Sequence, residues 1–375
     1  MENRIIRQAV ATFATLFVGI VAAAGWFIWT RSYSVDFVSF WAAGRMLLDG
    51  AGPAIYDIEA HRAVEESAVG TVKLMPFPYP PPFGLIVAPF GIPPYGAAFT
   101  LWMVATGALF LLAAERWMPR LLALAQPSLL VNGFIGQAGF LTSALFMGGM
   151  ALIGRRPLLG GALLGVLVIK PQLALLLPLA LAAGKLWRAF AGAALSSIAL
   201  VIAAMPVVGF DGYAAFLTLA ATFSGYIAAG RWPWDELASV YALLSYFGVP
   251  RSIAIGAHLA IAAGAAALVW RAWRNDHPGK VATLAAATLL IPPYLMTYDG
   301  LILALPIAFL LVERRGPGPA IAVWLLSLLP VGAVAGLYEA PNTLPLAALL
   351  ALLAIERVKV STALPPARPS LPQPA

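Results

Sequence analysis

Apolar runs follow one another along this chain with only brief polar interruptions, from Ala9 to Ile355. Such a pattern leaves no room for a sizeable water-facing surface. Hydrophobic residues occupy 61% and charged residues only 10% of 375 positions, against about 25% charged in an ordinary soluble domain. A membrane-spanning helix needs about 20 apolar residues, and fewer where it is enclosed by other helices. The expected fold is therefore all-α and integral to a membrane, one polytopic helical bundle over residues 1–358. The remaining residues, 359–375, are proline-rich (PPARPSLPQPA) and are expected to form no packed structure. The chain has no cysteine, which excludes disulfides and thiolate-held metals.

Polar breaks divide the sequence into twelve candidate membrane segments, near 9–29, 84–114, 121–131, 138–153, 158–169, 171–183, 187–208, 251–270, 281–295, 299–312, 319–337 and 343–355. Allowing for pieces that do not cross, about 10–12 transmembrane segments are expected. The first is long and lacks a small-residue cleavage pattern before RSYSVD, so it reads as a retained anchor rather than a signal peptide. Several others are short. A 12-residue helix rises about 18 Å, less than the ~30 Å hydrocarbon core, and must lie inside protein or line a wet cavity. If the N-terminus is cytoplasmic and every segment crosses, 16 of the 23 basic residues fall on the cytoplasmic side, as the positive-inside rule requires. The C-terminus is then cytoplasmic too, in an inner (plasma) membrane protein. This rule accounts for the net charge of +7 without nucleic acid as a partner; membrane lipids are the expected surroundings. The acids segregate oppositely, with 11 of 16 on the extracytoplasmic face. Two long loops, 30–82 and 209–250, face that side, with short hairpins around NGFIGQ and IKPQ.

The first loop opens with VDFVSFWAAGRMLLDGAGPAIYD, residues 35–57. Phe37, Phe40, Trp41, Leu47 and Leu48 recur at helical spacing, with Asp36, Ser39 and Arg45 off that face. This predicts an amphipathic helix in the extracytoplasmic interface, its aromatic face in lipid or against the bundle. Asp36 stands at its start. It is either an N-cap or a general base whose pKa an apolar surround would raise. Asp49 and Asp57 read as turn and cap residues, HRAVEES (61–67) as a solvated helix face, and His61 as structural. In MPFPYPPPF (75–83) the prolines rule out regular helix. The segment should be a stiff strap carrying Phe77 and Tyr79 over the outer surface.

Lys170, in GVLVIKPQLALLL, belongs at the outer end of a short hairpin, where it either binds a phosphate as a point charge or snorkels to the interface. Asn132 and Gln137 suit sugar hydroxyls or merely flank glycine turns. RWPWDE gathers Arg231, Trp232, Trp234, Asp235 and Glu236, aromatic faces beside carboxylates that suit a saccharide. PPYLMTYDG presents Tyr298 and Asp299, the latter a cap or a second acid. No phosphate-binding glycine loop, GxSxG elbow or HExxH is present. No spaced ligand set calls for a metal, and no cofactor is expected. A nucleotide sugar would be cytoplasmic, whereas the acids lie outside, so a sugar donor at this site should be lipid-borne.

Taken in order, DFVSFWAAGRMLLDGAGPAIYD, YPPPFGLIVAPF, GQAGF with the preceding Asn132, IKPQLALLLPL and PPYLMTYD resemble glycosyltransferase family 87, the polyprenol-phosphate-mannose-dependent mannosyltransferase group, over roughly residues 30–310. The resemblance implies a GT-C membrane fold. It also implies transfer of a hexose, expected to be mannose, from a polyprenyl-phosphate sugar to a lipid or glycan acceptor outside the membrane, with inversion. The family's proposed general base matches Asp36. Cations are then needed for the leaving phosphate, with Lys170, Arg45 and Arg231 as candidates. Trp41, Tyr56, Tyr79, Asn132, Gln137, Gln172, Trp234, Tyr298 and Asp299 are the candidate substrate contacts. The alternative is a transporter or flippase of a lipid-linked saccharide, although the internal repeats common in transporters are not found.

Overall fold

The computed structural model describes residues 35–72, 75–312, 317–334 and 337–358, together with Thr15 and Gly19. The expected anchor at 9–29 and the tail at 359–375 lie outside these. Among the described residues the chain is helical, apart from one isolated antiparallel bridge between Leu237 and Met296. Helix α1 (Phe37–Leu48) is followed by α2 (Ile58–Val69), α3 (Pro81–Val87), α4 (Tyr95–Ala114), α5 (Pro127–Ile135), α6 (Gly139–Leu152), α7 (Pro157–Gly165) and α8 (Leu177–Ala183). After these come α9 (Trp187–Ala228), α10 (Val240–Tyr246), α11 (Arg251–Arg274), α12 (Lys280–Thr288), α13 (Ala304–Val312), α14 (Gly318–Val334) and α15 (Leu344–Glu356). Three of them, α4, α9 and α11, are long and apolar enough to cross a membrane, and eight shorter apolar helices of 10–17 residues accompany them. Large apolar side chains point outward along the long helices, including Leu195, Ile202 and Phe210 on α9 and Ile253 and Leu259 on α11. This is a membrane protein, and lipid is the solvent for those faces.

Several segments differ from the sequence reading. The one expected at 121–131 is split into a short helix, Arg120–Leu124, and α5, and the one at 281–295 ends as a helix at Thr288. Two further differences shape the fold. The span expected at 84–114 is broken: α3 runs into a 3₁₀ turn at Ala88–Gly91, and the chain restarts at Tyr95 after Pro93 and Pro94. Proline supplies no N–H and disfavours helix in the residue before it. Helix α9 bends sharply at Gly209, whose φ of 67° and ψ of −179° suit glycine rather than a residue with a Cβ. The Tyr213 hydroxyl donates to the Val201 carbonyl at 2.7 Å, a contact that twelve residues of straight helix, about 18 Å long, would forbid. The first part of the expected loop 209–250 is therefore a second helical limb.

Small residues bring helices together, as expected where lipid offers no hydrophobic drive for association. On α7 a Cβ at Gly161 would lie 1.9 Å from the Ala189 carbonyl oxygen of α9, and one at Gly192 would lie 2.2 Å from that of Leu158. Ser196 and Ser197 complete the contact by donating to the Ala162 and Gly165 carbonyls, both at 2.8 Å.

Around α1 the aromatics form the core nearest the site. Phe37 and Phe40 are fully enclosed by Phe77, Tyr79, Phe83, Tyr95, Phe99 and Trp102. Of the two surroundings open to the aromatic face of α1, lipid or the bundle, the bundle is the one observed, and the helix is buried along most of its length, Ser39 included. One expectation changes. The proline strap turns Phe77 and Tyr79 inward, with 0% and 5% of their surface exposed, because ring burial outweighs any benefit of placing them on the outer surface.

Candidate active site

Asp36 occupies the N-cap position of α1, yet its side chain makes no capping hydrogen bond. Its Oδ2 instead accepts from Gln137 Nε2 at 2.9 Å. Gln137 reaches it because α5 ends at Gly136 in the left-handed region, φ 73° and ψ 25°, and a Cβ there would lie 2.7 Å from that of Phe37. The Tyr79 hydroxyl donates to Gln137 Oε1 at 2.8 Å, which fixes the amide so that its NH₂ faces the carboxylate. The Tyr56 hydroxyl in turn donates to the Tyr79 carbonyl at 3.0 Å. Burial pushes the Asp36 pKa up, partly opposed by the Gln137 hydrogen bond. Asp36 itself is only half-buried, so one side of it stays reachable. Among the described residues no Lys, Arg or His forms an ion pair with it.

A second carboxylate anchors a neighbouring group. Asp299 lies in the 3₁₀ helix Thr297–Leu303, which follows the irregular stretch containing Pro292 and Pro293 after α12. One oxygen, Oδ2, accepts from the Met296 N–H at 3.2 Å, and the other meets Lys170 Nζ at 2.5 Å. The ammonium also sits 4.4 Å from the centre of the Tyr298 ring, and both charged side chains are almost wholly enclosed. Tyr298 lies close to Tyr79 of the first half. Asn132 Nδ2 holds the Tyr298 carbonyl at 2.9 Å. Six side chains thus form two neighbouring groups, Asp36 with Gln137 and Tyr79, and Asp299 with Lys170 and Tyr298, that meet where Tyr79 and Tyr298 come close.

The model of glycosyltransferase family 87 matches residues 77–293, more than half of the chain. The chain belongs to that family. Neither a curated protein nor a solved structure matches it. The matched region holds Tyr79, Asn132, Gln137 and Lys170, while Asp36 lies 41 residues before it and Asp299 six residues after it.

The other candidate residues of this glycosyltransferase are not drawn into these groups. Trp41 is half-buried and donates to the Pro93 carbonyl at 2.9 Å. Arg45 pairs with Asp49 at 3.1 Å, both about half exposed. Gln172 is half-buried and hydrogen-bonds none of the six. Arg231 is exposed, its guanidinium 5.9 Å from the Tyr226 ring centre. Trp234 stacks edge-on against Tyr241 in a small separate core with Leu237 and Ala254. That segment is nevertheless stitched to the site, since the Ala238 N–H donates to the Leu295 carbonyl at 2.6 Å. Among the described residues no three His, Cys, Asp or Glu side chains are grouped so as to hold a metal.

One polar group was misread in the sequence. HRAVEES is not a wholly solvated face: His61 and Glu65 are each 1% exposed. His61 Nε2 lies 3.2 Å from Ser39 Oγ and 3.4 Å from Glu65 Oε1, and Ser39 also donates to the Pro76 carbonyl at 3.2 Å. Burial raises the Glu65 pKa. The group ties α2 and the strap to α1. Its signal in the sequence was the four-residue spacing of His61 and Glu65, which places both on one helix face.

Proposed function

We propose that this glycosyltransferase moves a hexose, mannose, from a polyprenyl-phosphate donor to a lipid or glycan acceptor, with inversion at the anomeric carbon, and that Asp36 is the general base. The observation that carries the reading is the Asp36 carboxylate, turned away from its helix cap, held by a neutral amide and given no cation. A base needs to stay ionised yet eager for a proton. Burial raises its proton affinity, while the Gln137 hydrogen bond keeps the charged form accessible. In the reaction the acceptor oxygen bonds to C1 as its proton passes to Asp36, and the bond from C1 to the phosphate oxygen breaks. The lipid phosphate leaves as an anion, so no protein acid is required.

The hydroxyls of Tyr79 and Tyr298 are the natural sugar contacts, with Asn132 and Gln137 holding them in register. Lys170 and Arg45 are occupied by Asp299 and Asp49. That leaves Arg231, exposed on the segment stitched to Leu295, for the donor phosphate. The regions 30–82 and 209–250, the latter beginning with the second limb of α9, belong on the extracytoplasmic side of an inner membrane and both termini in the cytoplasm, in keeping with the distribution of basic residues.

The test uses purified protein in detergent with radiolabelled polyprenyl-phosphate mannose and a membrane glycolipid extract. Wild type should transfer label, and Asp36→Asn should lose at least about 10²-fold, the usual scale for a general base. Equal transfer by the variant would remove Asp36 from the chemistry. A wild type that transfers other polyprenyl-phosphate hexoses but not mannose would correct the sugar alone.

A further inference from the structure

Along α6 from Leu141 onward, and beside the second half of α4, the helices part around an apolar cleft of about 1030 Å³ whose basic edge is at the end away from Asp36. Helix α6 starts beside the site at Gly139, and its last turn lies roughly 20 Å farther along its axis. Leu112, Leu145 and Leu163 form the walls of the cleft, and Trp117 closes one side, its indole N–H donating to the Met147 carbonyl at 3.0 Å. Three exposed arginines, Arg116, Arg155 and Arg156, stand at its edge. No aspartate or glutamate lines it. Among other basic residues at helix ends, Arg120 pairs with Glu115, Arg271 with Glu356 and Lys280 with Asp276. Arg188, Arg251 and Arg274 form no ion pair among the described residues but do not line the cleft. The three guanidiniums at the cleft form no ion pair among the described residues.

We infer that this cleft binds an anionic glycerophospholipid, its acyl chains against the leucines and its phosphate among Arg116, Arg155 and Arg156. The volume is at the top of the roughly 300–1,000 Å³ usual for small-molecule pockets, which suits a chain-bearing ligand. An apolar cleft edged by uncompensated positive charge is complementary to a lipid whose head is negative. Guanidinium is the side chain best matched to phosphate oxygens, and basic pockets between membrane helices are where such head groups lodge. The same arginines also sit beyond the C-termini of α4 and α6, where the helix dipole favours cations. The experiment must therefore separate lipid binding from end-capping.

Trp117 is the reporter. The full chain is reconstituted in phosphatidylcholine vesicles doped with brominated phosphatidylglycerol or, at the same mole fraction, brominated phosphatidylcholine. The Trp117 contribution is isolated by subtracting Trp117→Phe. The expected result is quenching several times stronger by the anionic lipid, weakened by high salt and lost in a variant carrying Arg116→Gln, Arg155→Gln and Arg156→Gln that melts like wild type. Equal quenching by the two lipids, or a preference that survives the triple change, would overturn the proposal and leave the arginines as helix-end cations. Loss of quenching on adding millimolar glycerol phosphate would overturn it in favour of a soluble phosphate ligand. A cross-linked dimer in which Trp117 is unquenched by either lipid would overturn it in favour of a second copy.

Discussion

Asp36 is half-buried and accepts a hydrogen bond from a neutral amide at 2.9 Å, whereas Asp299 is enclosed and meets an ammonium at 2.5 Å. Asp36 stands at the start of one helix and Asp299 in the first turn of another, both follow apolar segments in the sequence, and their groups adjoin at Tyr79 and Tyr298. Their partners set them apart. Lys170 neutralises Asp299 and anchors it, so that its removal is mainly a structural event. Gln137 leaves the Asp36 charge uncompensated, so that proton affinity rather than stability is what its surroundings tune.

The contrast predicts where each substitution will register. Lys170→Met should have the largest effect, about 3–5 kcal/mol of stability, because an unpaired buried carboxylate remains. Thermal unfolding in detergent should show it, and a second change, Asp299→Leu, should restore much of the loss. If Lys170→Met melts like wild type, the pair is not what holds this end of the site.

Next comes Asp36→Asn. Its loss of at least 10²-fold in transfer corresponds to about 2.7 kcal/mol of barrier, but its melting temperature should not fall. The sign follows from the raised pKa. A carboxyl that binds its proton more tightly when folded loses stability as pH rises from its unfolded value through its folded one. Asparagine avoids that cost, so any gain over wild type should be greatest above the folded pKa and should shrink as the pH falls. A variant that both melts earlier and keeps its activity would recast Asp36 as a structural cap.

Gln137→Ala should follow, with activity down about tenfold for a lost hydrogen bond to a charged group. The acid limb of its pH–rate profile should also move to higher pH, since the lost bond favoured the ionised carboxylate. An unmoved limb would mean that Gln137 only fills space. The smallest effect belongs to Arg45→Ala: a half-exposed pair is worth less than about 1 kcal/mol, and a large drop in transfer would return Arg45 to the donor phosphate.

Much of the architecture was legible from apolar runs and their breaks. Segments expected at 138–153, 158–169 and 343–355 appear as helices Gly139–Leu152, Pro157–Gly165 and Leu344–Glu356, because charges and prolines interrupt helices wherever they stand in space. The errors and the choice left open at α1 share one origin. For α1 and the strap the sequence said which side chains were apolar, but in a membrane an apolar face is as well satisfied by lipid as by protein. Nothing in the local pattern distinguishes Phe77 buried from Phe77 facing lipid. His61 and Glu65 were misplaced for the complementary reason, since polar residues within a charged stretch look solvated until Ser39 is brought within 3.2 Å from another helix.

The sequence by itself determined that this chain is a helical membrane protein of a recognisable glycosyltransferase pattern and named most of the polar residues that matter. Composition and order are properties of the chain and need no third dimension. Only the tertiary structure decided that Gln137, 101 positions from Asp36, is its partner, and that Lys170 and Asp299, 129 positions apart, satisfy each other. Those pairings depend on how helices cross, and the energy of a buried charge depends on which group the crossing brings within hydrogen-bonding distance.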